Sequence, residues 1–143
     1  MEVIEQWIQE DSDYIRKKLI AYNMEQIPEE LKSRYENISF VAKDDKGTIV
    51  AGITGHLFWH HMHIDFLWVD SCVRKEGYGS KLLAKMEQVA IDKACTFIYL
   101  DTFSFQAPAF YEKHGYEVFG KLDNFPAGVK QYFLQKRLVG QEK

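Results

Sequence analysis

The stretch Trp68–Ala90, WVDSCVRKEGYGSKLLAKMEQVA, decides how the rest of the chain is read. An apolar segment ends at Val69, Arg74 and Lys75 follow, two glycines stand at 77 and 79, and a helical pattern begins at once. Leu82, Leu83, Met86, Val89 and Ala90 recur on one helical face, which predicts a helix over 79–94. The first turn of a helix carries four amides without intrahelical partners and roughly half a positive charge. Glycines there let a ligand approach the main chain. Arg74 and Lys75 add formal charge, and Ser80 adds a hydroxyl donor. Together these groups suit a pyrophosphate; the alternative is a structural turn that needs glycine. The segment is not a P-loop, because lysine and Ser/Thr do not follow the second glycine in the required order. It lacks the third glycine of a dinucleotide-binding fingerprint.

Working outward, EVIEQWI (2–8) is expected as a first strand, followed by a helix from Asp11, Ser12 or Asp13 to about Asn23. Tyr14, Ile15, Leu19 and Tyr22 form its apolar stripe, and a shorter helix follows Pro28. ISFVAKD and TIVAGITGHLFW read as a hairpin around the DDKG turn, with HIDFLWVD as the next strand. Beyond the central helix, CTFIYLDTF is expected as a strand buried on both faces. APAFYEKHG is a short helix stopped by Gly115, and YEVFGKL and VKQYFLQKRL are strands around DNFPAG. The order β-α-β-β-β-α-β-α-β-β predicts an α/β fold with a mostly antiparallel sheet and one parallel crossover around the central helix.

The length of 143 residues and the absence of any linker-like segment suit one domain over 1–143. Apolar residues make up 46% and aromatics 15%, enough to fill a core and line a cleft. A net charge of −3 argues against nucleic acid as a partner, because phosphate backbones need a concentrated basic face. No long apolar run suggests a signal peptide or membrane span. Two cysteines are too few for a disulfide framework, so a reducing cytoplasm is the expected location.

The segment VRKEGYGSKLL resembles the acyl-CoA signature of the GNAT N-acetyltransferase superfamily, Gln/Arg-x-x-Gly-x-Gly/Ala, with Arg74, Gly77 and Gly79 at the three defining positions. HIDFLWV is similar to that family's strand before the turn, and FYEKHGYEVFG to its Phe/Leu-Tyr-Glu-Lys-x-Gly-Phe/Tyr segment. The resemblance implies a mixed, mostly antiparallel sheet flanked by helices, with a V-shaped split between HIDFLWV and TFIYLD. Acetyl-CoA is implied as cosubstrate in that split. Trp68 and Val69 would lie along the pantetheine. Arg74, Lys75, Glu76, Gly77, Tyr78, Gly79 and Ser80 would surround the pyrophosphate. Ser104 stands where the family often has a cofactor-contacting asparagine, with Gln106 close by. The implied activity is acetyl transfer to a primary amine of a small molecule or peptide by direct attack. A non-catalytic acyl-CoA sensor or interaction module is the alternative. Members often pair, so a homodimer is among the implied partners.

The chemistry needs a neutral amine, a donor for the developing oxyanion and an acid for the departing thiolate. Tyr111 matches the family's tyrosine that faces the sulfur and is the candidate acid. His63 stands where many members carry glutamate, and Asp65 shares its face by period-two alternation; either is a candidate base. That alternation also places Leu67 and Val69 with them, and Ile64, Phe66 and Trp68 opposite. His61 and His63 would share a face as two metal ligands, but no full ligand set accompanies them, so no metal is expected. Cys72 is a conceivable acyl carrier that direct attack makes unnecessary, and Cys95 reads as core.

Overall fold

A computed structural model describes residues 1–138. They fall into two compact units, residues 1–32 and the chain from Ser33 onward. In the first unit, α1 (Gln9–Gln26) opens with Glu10 and Asp11, whose charges suit the positive end of the helix dipole, and buries none of its residues. A single 3-10 turn, Glu29–Leu31, follows Pro28. The strand expected over 2–8 is absent, and residues 1–8 have no regular secondary structure. Val3, Ile4, Trp7 and Ile8 do not alternate, so they offer no single face to a sheet. None of the helices among the described residues is long and apolar enough to cross a membrane.

The second unit holds six strands: β1 (Glu36–Lys43), β2 (Ile49–Phe58), β3 (His61–Val69), β4 (Phe97–Phe103), β5 (Glu117–Leu122) and β6 (Gln131–Arg137). Their spatial order is β1-β2-β3-β4-β6-β5. All neighbours are antiparallel except β3 and β4, which the crossover through α2 (Tyr78–Asp92) makes parallel. The turn from β1 to β2 is held by Asp44, whose Oδ1 accepts the amides of Lys46 and Thr48. At the β2–β3 turn, Trp59 and His60 both take positive φ, 47° and 59°, the backbone of a two-residue hairpin. The Ser33 hydroxyl accepts the His60 amide, and the His60 carbonyl accepts the Thr96 amide, which fixes this tip.

One face of the sheet carries the core. Leu82, Leu83, Met86 and Ala90 of α2 are buried against Ala51, Ile53 and Leu57 of β2 and Met62 and Ile64 of β3. Each fully buried aliphatic side chain contributes about 1.5–3 kcal/mol of transfer free energy. The helix thus packs by the face its spacing predicted, although it ends at Asp92 rather than 94. Strand β4 is not buried on both faces. Ile98, Leu100 and Thr102 are buried, while Phe97, Tyr99 and Phe103 are partly exposed and Asp101 is exposed. Its outward residues are aromatic, so composition alone imitates a doubly buried strand. A short helix, α3 (Pro108–Lys113), follows β4 and adds Tyr111 to the core. Gly115 ends it at φ +94°, as its position after the helix predicts.

Two strands shape the site. β3 and β4 pair only from His61↔Phe97 to His63↔Tyr99. Beyond that, β3 follows β2 to Val69↔Ala51, and β4 follows β6 to Phe103↔Gln131. The departure coincides with a bulge: Gly55 pairs with Ile64 and Thr54 with Phe66, so Asp65 is an extra residue. A bulge bends its strand and raises its twist. It also shifts the alternation. Leu67 and Val69 therefore pack on the core with Ile64, and Phe66 and Trp68 point outward, which corrects the simple period-two assignment.

At Gly55 a Cβ would lie 2.6 Å from the His63 carbonyl oxygen and 2.7 Å from the Met86 Cε. The methionine end can yield but the strand backbone cannot. Gly55→Ala is therefore expected to destabilise the fold by roughly 1–3 kcal/mol through overpacking, seen as a lowered melting temperature. An unchanged melting temperature would mean that β2 and β3 separate freely at this point.

Candidate active site

The split between β3 and β4 opens into a cleft of about 710 Å³. Ile64–Val69 line one wall, Leu100, Asp101 and Thr102 the other, and Phe110 and Tyr111 of α3 also face it. The β3 edge facing β4 has no strand partner beyond His63, so its main chain is free to bond a ligand as an added strand would. At its far end the cleft shares Val69, Arg74, Gly79 and Phe110 with a smaller hollow of about 240 Å³. Lys75, Gly77, Tyr78 and Ser80 complete the lining of that hollow.

The hollow is the N-terminus of α2. Gly77 is its N-cap in the left-handed region, φ +85°, and no side chain caps the helix. Lys75 also takes positive φ, 70°, so the chain turns sharply twice before the helix. A Cβ on Gly77 would meet open space, whereas one on Gly79 would come 3.4 Å from the Phe110 ring. Backbone conformation thus accounts for the glycine at 77, whereas at 79 a Cβ would meet Phe110 of α3 at contact distance. The Arg74 guanidinium donates to the Val69 carbonyl at 3.3 Å, which joins the charge to the end of β3. His114 Nδ1–H donates to the Phe110 carbonyl at 2.8 Å, leaving Nε2 to accept the Ser80 hydroxyl at 3.0 Å. Ser80 is therefore tied to α3 through its hydroxyl, and only its amide remains for an anion. Glu76 is exposed in the same turn, outside the residues that line the hollow.

Tyr111 is buried, 7% exposed, and meets the rings of Phe110 and Tyr116 edge-on at 5.2 and 5.9 Å. Burial pushes its phenol up to about 12, so it remains a proton donor at neutral pH. Its place is both core and cleft wall. Ser104 is placed elsewhere. Its amide donates to the Lys130 carbonyl and its hydroxyl accepts the Lys130 amide, and it does not line the cleft. Gln106 does line it, although its amide oxygen already accepts from the Phe103 amide at 2.7 Å and the Thr102 hydroxyl at 3.2 Å.

On the sheet face away from α2, Asp65 joins two histidines. Its Oδ1 lies 2.7 Å from His63 Nδ1 and 3.1 Å from His56 Nδ1. A carboxylate can only accept, so both Nδ1 atoms carry hydrogen, and the Nε2 lone pair of a neutral His63 is free. That Nε2 lies 3.9 Å from Asp101 Oδ2. Tyr35 stacks on His56 at 5.3 Å, and Tyr99 meets His63 edge-on at 4.6 Å. Burial first, then the charges of Asp65 and Asp101, raise the Tyr99 pKa. The three donor atoms of His56, His63 and Asp65 lie within 4.8 Å of one another, a spacing that could also hold a transition-metal ion. His61 takes no part; it stacks on Phe97 at 5.3 Å, and burial lowers its pKa.

His56, Asp101 and Gln131 escaped the sequence reading. Each becomes visible only when strand register is known: His56 stands opposite His63, and Gln131 donates to Asp101 across β4 and β6 at 3.1 Å. Cys72 is exposed, and its hydrogen bond with Asp70 raises its pKa, which disfavours a nucleophilic thiolate. Cys95 is core, pushed up to about 11 by burial.

Comparison with known proteins agrees with this architecture. Residues 2–116 match the family described as acetyltransferase (GNAT). Blasticidin-S acetyltransferase of Streptomyces morookaense is 36% identical over 95 residues, which are 66% of this chain and 70% of that protein. An acetyltransferase of Agrobacterium fabrum (strain C58) is 29% identical over 123 residues, covering 86% of this chain and 88% of that one. The crystal structure of an acetyltransferase from Bacillus cereus ATCC 14579 superposes with a TM-score of 0.92 at 47% identity, covering 96% of this chain and 98% of the other. A split sheet, a glycine turn opening α2 and a tyrosine on the cleft wall are thus features of a chain that belongs to the GNAT acetyltransferase family.

Proposed function

We propose that the protein is an acetyl-CoA-dependent N-acetyltransferase that acetylates a primary amine of a small molecule or peptide by direct attack. The observation that carries this reading is the split itself, which has Tyr111 and Asp65 in its lining and His63, outside that lining, at the end where β3 and β4 pair. The amides at the start of α2, with Arg74 and Lys75, hold the pyrophosphate. The open edge of β3 holds the pantetheine and directs the thioester towards His63. The small-molecule name of the Streptomyces morookaense relative is in keeping with a small amine acceptor.

His63 Nε2 takes a proton from the incoming ammonium, and Asp65 steadies the imidazolium that results. The amine nitrogen then bonds to the thioester carbon. Main-chain amides on the open β3 edge are the available donors to the oxyanion. As the C–S bond breaks, Tyr111 gives its proton to the sulfur. Of the two protons the ammonium nitrogen loses, the first leaves to solvent through His63 and the second restores the Tyr111 phenol, whose own proton has gone to the coenzyme A sulfur. His56 holds the other side of the Asp65 carboxylate. No metal is needed for any of these steps.

Calorimetric titration with acetyl-CoA is the direct test. Arg74→Glu, at an exposed position, is expected to weaken binding by about tenfold or more, the scale of a lost charge-assisted hydrogen bond. Wild-type protein that binds no acetyl-CoA would sink the proposal, and binding without turnover of any amine would favour a sensor.

Tyr111→Phe is expected to lower kcat by about 10²-fold while leaving acetyl-CoA affinity intact, the usual scale for a general acid. Because burial raises the phenol pKa to about 12, its ionisation should not limit the wild-type rate below about pH 11. An unchanged kcat in the variant would return Tyr111 to a packing role.

Zinc should inhibit rather than activate. An ion seated on His56, His63 and Asp65 would displace the His63 Nδ1 proton and break its bond to Asp65. Restoration of the rate by a chelator is the expected result; stimulation by zinc would instead indicate a metal-assisted reaction.

A further inference from the structure

The unused carboxylate on the acceptor side is Asp101. It lies on β4, lines the cleft and is exposed, with Oδ1 held by Gln131 Nε2 at 3.1 Å. Its other oxygen faces His63 Nε2 across 3.9 Å. Asp65 fixes the hydrogen on His63 Nδ1, so neutral His63 presents a lone pair to the carboxylate. A donor placed between these two acceptors can bond to both. A nitrogen about 2.8 Å from each atom fits a gap of that width, since two such bonds can span up to twice that length. A protonated amine supplies hydrogens to both.

Two residues along the same face of β4 comes Phe103. Its ring lies parallel to Phe105, 5.4 Å away at 3°, and meets Phe125 at 5.4 Å and 61°. Phe105 is 70% exposed and Phe125 47%. Two exposed phenyl rings packed on Phe103, which follows the tethered carboxylate along the same strand face, make a subsite for a flat apolar body bearing a cation. Resting on the N-acetyltransferase reading above, we infer that Asp101 docks the acceptor ammonium and hands it to His63, and that Phe103, Phe105 and Phe125 receive a planar ring. The acceptor class is therefore an amine on a short arm from an aromatic or heteroaromatic ring. Asp101 is then a binding and positioning residue; His63 takes the proton.

The test compares acetylation of 2-phenylethylamine and 2-cyclohexylethylamine, which have the same arm and charge but differ in ring planarity. Wild-type protein should favour the phenyl compound by about fivefold in kcat/KM, the scale of an aromatic pair beyond simple burial. Asp101→Asn should raise KM for both amines by about tenfold or more while lowering kcat less than about threefold, because a charged contact is lost. Asp101→Glu, which keeps the charge, should recover most of that KM. Phe125→Ala should erase the preference for the phenyl ring. Melting temperature and acetyl-CoA affinity report whether each variant is folded. A KM within about twofold of wild type in folded Asp101→Asn, or equal use of the two rings by wild type, would overturn the inference and leave the enzyme reading intact. Failure of wild type to acetylate either probe would overturn it as well. Failure with a broad panel of amines, despite acetyl-CoA binding, would bring down the N-acetyltransferase reading itself.

Discussion

One extra residue in β3 sets the rest of the site. Because Asp65 is unmatched on β2, the strand bends at the point where it leaves β4. The same insertion moves Leu67 and Val69 onto the core and frees Phe66 and Trp68 to face outward. It also puts the Asp65 carboxylate beside His63, where strict alternation and a single bulge together allow contact at 2.7 Å. Cleft, strand edge and histidine–carboxylate pair thus share one backbone cause. Gly55 makes this arrangement compact, because it lets the β3 backbone and Met86 of α2 approach where any side chain would intrude.

The second centre of organisation is the entry to α2. Left-handed conformations at Lys75 and Gly77 turn the chain into α2, and residues of that turn line the hollow at the end of the cleft. Phe110 lies beside Gly79 at that turn, and the Ser80–His114 hydrogen bond closes the contact between α2 and α3. The helix that offers the amides and the helix that carries Tyr111 are therefore positioned together. Further back, Glu87 of α2 accepts from Tyr116 at 2.8 Å and Lys136 at 3.2 Å, which ties the same two elements to β6. Of these contacts only the glycine spacing is visible in the sequence.

What was legible followed physical range. Helix α2, its buried face and the stop at Gly115 depend on neighbours within a few residues, and each stands where its spacing predicted. The glycine turn was equally local. The strand expected over 2–8 does not form, because its apolar residues offer no single face, and β4 reads as doubly buried because Phe97, Tyr99 and Phe103 on its outward side are aromatic. The bulge at Asp65 could not be seen, since it exists only relative to β2. Alternation places His63 and Asp65 on one face as alternative bases, but their direct contact, and His56 and Asp101, which complete the group, depend on the strand register. Residues brought together by register leave no spacing signal in one chain.

The two sides of the split differ in water, and the difference matches the chemistry. Tyr111 lies on α3 and in the core, and burial raises its pKa to about 12, which keeps the phenol protonated at neutral pH. The opposite group remains partly open: the side chains of His63 and Asp101 are 19% and 40% exposed. In the proposed reaction an ammonium acceptor releases one proton in each turnover, which the partly exposed His63 can pass to water. The proposed acid thus stands in the core and the proposed base on the open face of one split sheet.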